Sequence, residues 1–257
     1  MSERPDDIQI SEHELRALTQ DLKQMHEDTF PTLEKTLGGF RNGVSSVSAK
    51  PTNRRFFMLG GATLIGGTAL AACSSKKDGA AASDSPSSSP YTGDLKVVAL
   101  AAALENLAVA AYGMALDAAG KGTYGKVPAA VGEFITVAKS QHSDHAKAWN
   151  AVLTGAGKPA VTTPSLSITD GAVKALMAAK TIPAVAEIAL GLENSAAQTY
   201  TFATANVTDA GGIATAATIA PVETQHAMVL SFILGKYPVP DTFIGISQAV
   251  QPSALTI

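Results

Sequence analysis

The chain has a single cysteine, Cys73. That excludes an intramolecular disulfide, a cysteine-built zinc site and an iron–sulfur cluster. Arginine stops at Arg55, and the long remainder carries only lysine, evenly mixed with acids under a net charge of -3. No basic stripe and no interleaved aromatic run is left to meet nucleic acid. Charge is sparse at 16% against 46% hydrophobic residues over 257 positions, which suits a well-buried, alanine-rich helical protein of one or two domains. The uncharged run from Phe56 to Ala72 is at the short end of what crosses a hydrocarbon core about 30 Å thick.

Against this background the acids and imidazoles that sit on apolar helical stretches need explanation. In Glu223-Thr-Gln-His226 a carboxylate and an imidazole fall three apart, on one face of a helix, and can reach a single point in space. His142 and His145 have the same spacing within Gln141-His-Ser-Asp-His145, while Glu105 and Glu193 interrupt the apolar runs Leu104-Glu-Asn106 and Leu192-Glu-Asn194. Of five histidines only His13 and His26 lie elsewhere, in the N-terminal extension. Buried acids need compensation, and a metal ion supplies it.

The chain divides into four parts. Residues 1–52 are a polar, mixed-charge extension in which Leu15, Leu18, Leu22 and Met25 share one helical face; a short amphipathic helix for a partner and a partly ordered segment both fit. In 53–73, Asn53-Arg-Arg-Phe-Phe precedes a glycine-rich hydrophobic core that closes on Leu70-Ala-Ala-Cys73. This resembles a twin-arginine export signal ending in a bacterial lipobox, which implies acylation of Cys73 and a lipid anchor at the outer face of the cytoplasmic membrane; an uncleaved signal anchor is the alternative. Proteins carried by that route generally cross the membrane folded, often with a cofactor in place, so the resemblance favours metal loaded in the cytoplasm. Residues 74–93 have the Ser/Pro/Gly composition of a flexible linker.

From 94 to 257 the pattern predicts four helices and an irregular C-terminal tail. The first runs from Asp94, as N-cap, to Ala119; the second from Val127-Pro128 to Leu153; the third from Thr169 or Asp170 to Asn206, with a break near Pro183; the fourth from Asp209 to Leu234, weakened by Gly211, Gly212 and Pro221. The Pro/Thr/Ser stretch from Lys158 to Thr169 is long enough to cross a bundle end to end. Tyr112 and Tyr200 read as packing residues with satisfied hydroxyls, with hydrogen bonding to ligands or a redox role as the second reading; Trp149 reads as packing. Glu133 and Glu187 read as solvated, and Met114, Met177 and Met228 as core filler.

The two halves match each other. Leu104-Glu-Asn-Leu-Ala-Val-Ala-Ala-Tyr112 aligns without gaps to Leu192-Glu-Asn-Ser-Ala-Ala-Gln-Thr-Tyr200, and Asp144-His-Ala146 to Gln225-His-Ala227, a duplicated helical hairpin. The domain resembles the secreted bacterial ferritin-like proteins, which implies an all-α, ferritin-like four-helix bundle with a long crossover between helices two and three. In that family helices one and three each present a Glu, and helices two and four each present Glu-x-x-His, around two metal ions. Carried over, Glu105 and Glu193 match the single glutamates, Glu223 and His226 the motif of helix four, and His145 the histidine of helix two. His142 stands where that motif has Glu, with Gln141 and Asp144 on other faces of the turn. Three outcomes are open: a dinuclear site with one bridging carboxylate fewer, a mononuclear site, or a bundle without metal.

The six residues offer the mixed nitrogen and oxygen donors that suit iron, manganese or zinc. The resemblance implies a membrane-tethered, extracytoplasmic metal-binding protein, active in Fe(II) oxidation or peroxide handling if active at all. The alternative is a structural or interaction lipoprotein with a metal-free bundle. A third reading is metal delivery or sensing for an envelope partner.

Overall fold

The computed structural model describes residues 8–48, 89–239 and 244–257. The export-signal residues 53–73, with Cys73, and all but the end of the linker 74–93 lie outside the described residues. Six α-helices are described: α1 Glu12–Ser48, α2 Asp94–Gly120, α3 Ala129–Gly155, α4 Thr169–Ala178, α5 Ile182–Asn206 and α6 Ala210–Ile233. Helix α2 packs on α3 and on α5, and α5 packs on α6. The four long helices of the repeat thus form a bundle of two hairpins. The segment between α3 and α4 crosses from one hairpin to the other, and the C-terminal tail ties it down: Leu166 bridges Leu255, and Ser167 N donates to Ala254 O at 2.8 Å.

Helix α2 is apolar on nearly every side because neighbours surround it; Val98, Ala99, Leu100, Ala102 and Ala103 are 1% exposed or less. Among the described residues it is the one helix long and apolar enough to cross a membrane, but 67% of its apolar window is buried within the protein. Its N-cap is Gly93, not Asp94. Asp94 instead accepts from Thr208 N, Thr208 Oγ1 and Asp209 N at 2.8–3.0 Å, pinning the entry to α6. The break near Pro183 separates two helices: Pro183 lies in the first turn of α5, and the Thr181 hydroxyl caps it by accepting from Ala184 N. Asp209 caps α6 through Gly211 N and Gly212 N, and α6 runs on through Pro221. Met177, expected as core filler, is 67% exposed at the end of the short α4.

The N-terminal extension departs most from expectation. It is one helix of 37 residues, and it packs against α3 and α6 as a fifth helix of the bundle. Leu15, Leu22, Leu33, Leu37 and Phe40 are each 5% exposed or less, whereas Met25 faces solvent at 44%. The glycines that weaken the start of α6 make this docking possible. A Cβ on Gly212 would stand 3.0 Å from the Phe40 ring and 2.7 Å from Val207 Cγ1, and one on Gly211 would stand 3.0 Å from Thr36 O.

Candidate metal centre

Each helix of the bundle brings its acid or imidazole to one buried point. Glu105 comes from α2, His142 and His145 from α3, Glu193 from α5, and Glu223 and His226 from α6. None is more than 2% exposed. The apolar stripe of each helix faces the bundle interior, so a polar residue at a stripe position points inward.

Two overlapping groups result. Glu105, His142, His145 and Glu223 form one, and His142, Glu193, Glu223 and His226 the other, with ligand atoms in each within 4.8 Å of one another. Each group has its own glutamate and histidine, Glu105 and His145 from the first half of the repeat and Glu193 and His226 from the second, and the two share His142 and Glu223. Glu223 Oε1 lies 3.2 Å from His145 Nδ1, while its Oε2 lies 3.4 Å from His226 Nδ1 and 3.6 Å from His142 Nδ1. His142 turns Nδ1 to Glu105 Oε2 at 2.7 Å and Nε2 to Glu193 Oε1 at 3.1 Å. The residue found where a bridging Glu was expected therefore offers one nitrogen toward each side.

The surrounding hydrogen bonds follow the duplication. Tyr112 of the first half donates to Glu193 Oε1 of the second at 2.5 Å, and Tyr200 of the second half donates to Glu105 Oε1 of the first. Both tyrosines are core residues with satisfied hydroxyls, as first expected, and the acceptors are two of the candidate ligands. Trp149 adds an Nε1–H bond of 2.9 Å to the Tyr200 hydroxyl. Gln141, placed by its sequence position on another face, is buried and meets His226 Nε2 through Oε1 at 2.6 Å. His26 of α1 stacks on Phe30 and lies 5.3 Å from the His145 ring. Tyr112 and Tyr200, seven residues after each glutamate, were within reach of sequence reasoning; Gln141 and His26 were not, because their roles depend on α1. Glu133 and Glu187 lie on the surface, paired with Arg16 and Lys236.

Glu105, Glu193 and the three imidazoles, confined together, shift strongly. Burial pushes the Glu105 carboxyl up, but the charge of His145 and the hydrogen bond with His142 outweigh it and bring the pKa to about 2. Glu193 is likewise held well below the carboxylate range against its burial, by His142 and His226. Burial pushes His145 down, and the carboxylates of Glu105 and Glu223 close beside it raise it to about 9; His142 and His226 also rise, against burial, beside their acids. Burial and then the neighbouring carboxylates keep Tyr112 and Tyr200 protonated as donors. Ion pairing of Glu105 and Glu193 with the imidazoles is the cause these shifts share.

That pairing does not satisfy every atom. His145 Nδ1, Glu193 Oε2, both oxygens of Glu223 and His226 Nδ1 are buried without a hydrogen-bond partner. Buried polar atoms are rarely left so; these five are ligand atoms of the two groups, and the other such atom among the described residues is Nε2 of His26 beside His145. The donor set of carboxylate oxygens and imidazole nitrogens suits iron, manganese or zinc. The six residues fit a metal site.

The ferritin-like domain family matches residues 93–236, more than half of the chain. The chain belongs to that family. No curated protein and no solved structure matches it. The matched span of the ferritin-like domain holds α2 to α6, and α1 lies ahead of it.

Proposed function

We propose that this ferritin-like protein binds two divalent metal ions in the buried centre, Glu105 and His145 holding one, Glu193 and His226 the other, and Glu223 and His142 lying between. Iron is the first choice and manganese the second. The observation that carries the reading is the set of unpartnered ligand atoms: a structural ion-pair cluster needs no carboxylate such as Glu223, whose two oxygens both lack a hydrogen bond. Bound iron would supply electrons to a small oxidant, dioxygen or peroxide. An apolar cavity of about 50 Å³ reaches Glu193 and Tyr112 between Phe134, Ala189, Leu230 and Ile233. Its size suits a small oxidant and excludes a bulky organic substrate.

The tether belongs to the same proposal. The paired Arg54 and Arg55 and the lone Cys73 at the end of Leu70-Ala-Ala-Cys73 support export and lipid anchoring at the outer face of the cytoplasmic membrane. Such an anchor does not suit a closed, mineral-storing cage, so the function is redox chemistry or metal handling, with or without an envelope partner.

The matched numbers of acids and imidazoles favour one competing reading, a bundle stabilised by internal ion pairs and free of metal. Metal analysis of protein purified from its own host separates the two. Stoichiometric iron or manganese, lost in the double variant Glu223→Ala plus His226→Ala, is the expected result. Trace metal in the native protein, unchanged by the double substitution, overturns the proposal.

A further inference from the structure

The side chain of Gln141 joins the first helix to the centre. Its Nε2 donates to the main-chain carbonyl of Leu22 on α1 at 3.0 Å, and its Oε1 lies 2.6 Å from His226 Nε2. A main-chain carbonyl only accepts, so the amide nitrogen must face Leu22 and the amide oxygen must face His226. The oxygen also only accepts, so His226 Nε2 carries a hydrogen and donates it. That leaves Nδ1 as the nitrogen available to a metal. It lies 3.4 Å from Glu223 Oε2 and 3.6 Å from Glu193 Oε2, and it is among the buried atoms without a hydrogen-bond partner.

We propose that α1 is a positioning element of the metal centre: through the Leu22 carbonyl and Gln141 it fixes which nitrogen of His226 meets the ion. The role rests on the metal reading given above. A partner on the distal nitrogen sets both the tautomer and the ring orientation of a metal-ligating histidine. Here that partner is neutral and is itself oriented by a helix outside the duplicated hairpins. The same helix lays Phe30 and His26 beside His145, with ring centroids 6.4 and 5.3 Å away. Both terminal histidines of the centre are thus backed by α1, one by a hydrogen-bond chain and one by the tilted rings of His26 and Phe30.

The test uses the full chain, labelled with ¹⁵N-histidine and loaded with Zn(II), which is diamagnetic. The wild type should show His226 as an Nε2–H slow to exchange. Gln141→Leu, close in volume but with no acceptor, should lose that signal and weaken one Zn(II) site by about 10- to 100-fold. Gln141→Glu keeps an acceptor for His226 but has no donor for the Leu22 carbonyl, so it should give an Nε2–H that no longer responds to undocking of α1. Leu33→Asp plus Phe40→Asp, which undocks α1 far from the centre, should reproduce the Gln141→Leu spectrum, with circular dichroism reporting that the bundle is intact. An unchanged tautomer and affinity in Gln141→Leu, or in the undocked variant, overturns the proposal. Wild-type protein that takes up no Zn(II) overturns the metal reading and the positioning role together. In that case a protected His226 Nε2–H in the metal-free chain, lost in Gln141→Leu, would show the hydrogen-bond chain to be structural only.

Discussion

Glu223 is the sharpest point at which to press the two-ion reading, because it belongs to both ligand groups while Glu105 and Glu193 belong to one each. Glu223→Gln keeps the shape and removes the charge. The position is fully buried, and its oxygens face three imidazole nitrogens at 3.2–3.6 Å without a hydrogen bond to any of them. Removing one member of a buried charge set costs about 3–5 kcal/mol. At about 1.4 kcal/mol per decade, each ion should then bind on the order of 100- to 4,000-fold more weakly. Calorimetric titration with Co(II), checked by metal content after desalting, should give two ions for the wild type, one for Glu105→Gln, one for Glu193→Gln and none for Glu223→Gln at concentrations that saturate the wild type. A Glu223→Gln chain that retains one ion at native affinity would refute the shared ligand. Loss of all binding in Glu105→Gln would refute two separable sites and leave a mononuclear one.

The metal-free chain should be most stable near pH 6.5. His145, raised to about 9 from 6.5, contributes stability that is complete below 6.5 and lost as pH climbs through 9; His26, lowered to about 4 chiefly by burial and then by the His145 charge, contributes stability that is lost as pH falls from 6.5 through 4. Glu105, at about 2 against an ordinary 4.5, adds a further loss below 4.5; urea denaturation at a series of pH values after chelation measures all three. Metal affinity should rise with pH up to about 9, because the ion displaces the His145 proton. Gly212→Ala should destabilise by about 1–3 kcal/mol through collision with Phe40 and Val207, whereas Gly191→Ala in α5, where nothing lies within 4 Å of the added Cβ, should stabilise by about 0.5–1 kcal/mol in the same denaturation assay. Tyr200→Phe leaves the buried Trp149 Nε1–H without its acceptor, at a cost of about 1–3 kcal/mol. Since the chain has one tryptophan, a shifted emission maximum reports that loss directly.

The bundle and its six inward residues were legible because each signal is local to one helix. Three-residue spacing, an acid inside an apolar stripe and a repeated nine-residue segment all survive without knowledge of what packs where. Gln141 was not legible, because one step from His142 is a rotation of about 100° on the helix. That direction is solvent in a four-helix bundle and the interior only once α1 is docked there. The apolar stripe of α1 announced a helix but not its partner, and the residues that marked it, Leu15 to Met25, cover only its first part, whereas the helix continues through Pro31 to Ser48. The tyrosines lay between these cases: the seven-residue offset put each near its own glutamate's face, but the hydrogen bond goes to the glutamate of the other half.

Chain order turns the docking of α1 into a test of the tether. Helix α1 ends at Ser48 and the bundle begins at Asp94, so the proposed export signal, 53–73, lies between two parts that pack together. A signal that engages the membrane places α1 and the bundle on opposite faces of it, and cleavage ahead of Cys73 detaches α1 altogether. On the proposed export reading, docked α1 and an exported bundle would be successive states of one molecule, the first of them before export. Undocking exposes the sites of five large apolar side chains, each worth about 1.5–3 kcal/mol when buried, so the exported form should be the less stable of the two and should hold its metal less tightly at His226. Membrane fractions of the native host should yield protein that begins at an acylated Cys73, while Arg54→Lys plus Arg55→Lys should retain the full-length chain, α1 included, in the soluble fraction. Recovery of the wild type as a soluble, full-length chain with α1 still attached would sink the lipoprotein reading and leave the five-helix, metal-binding protein as the working form.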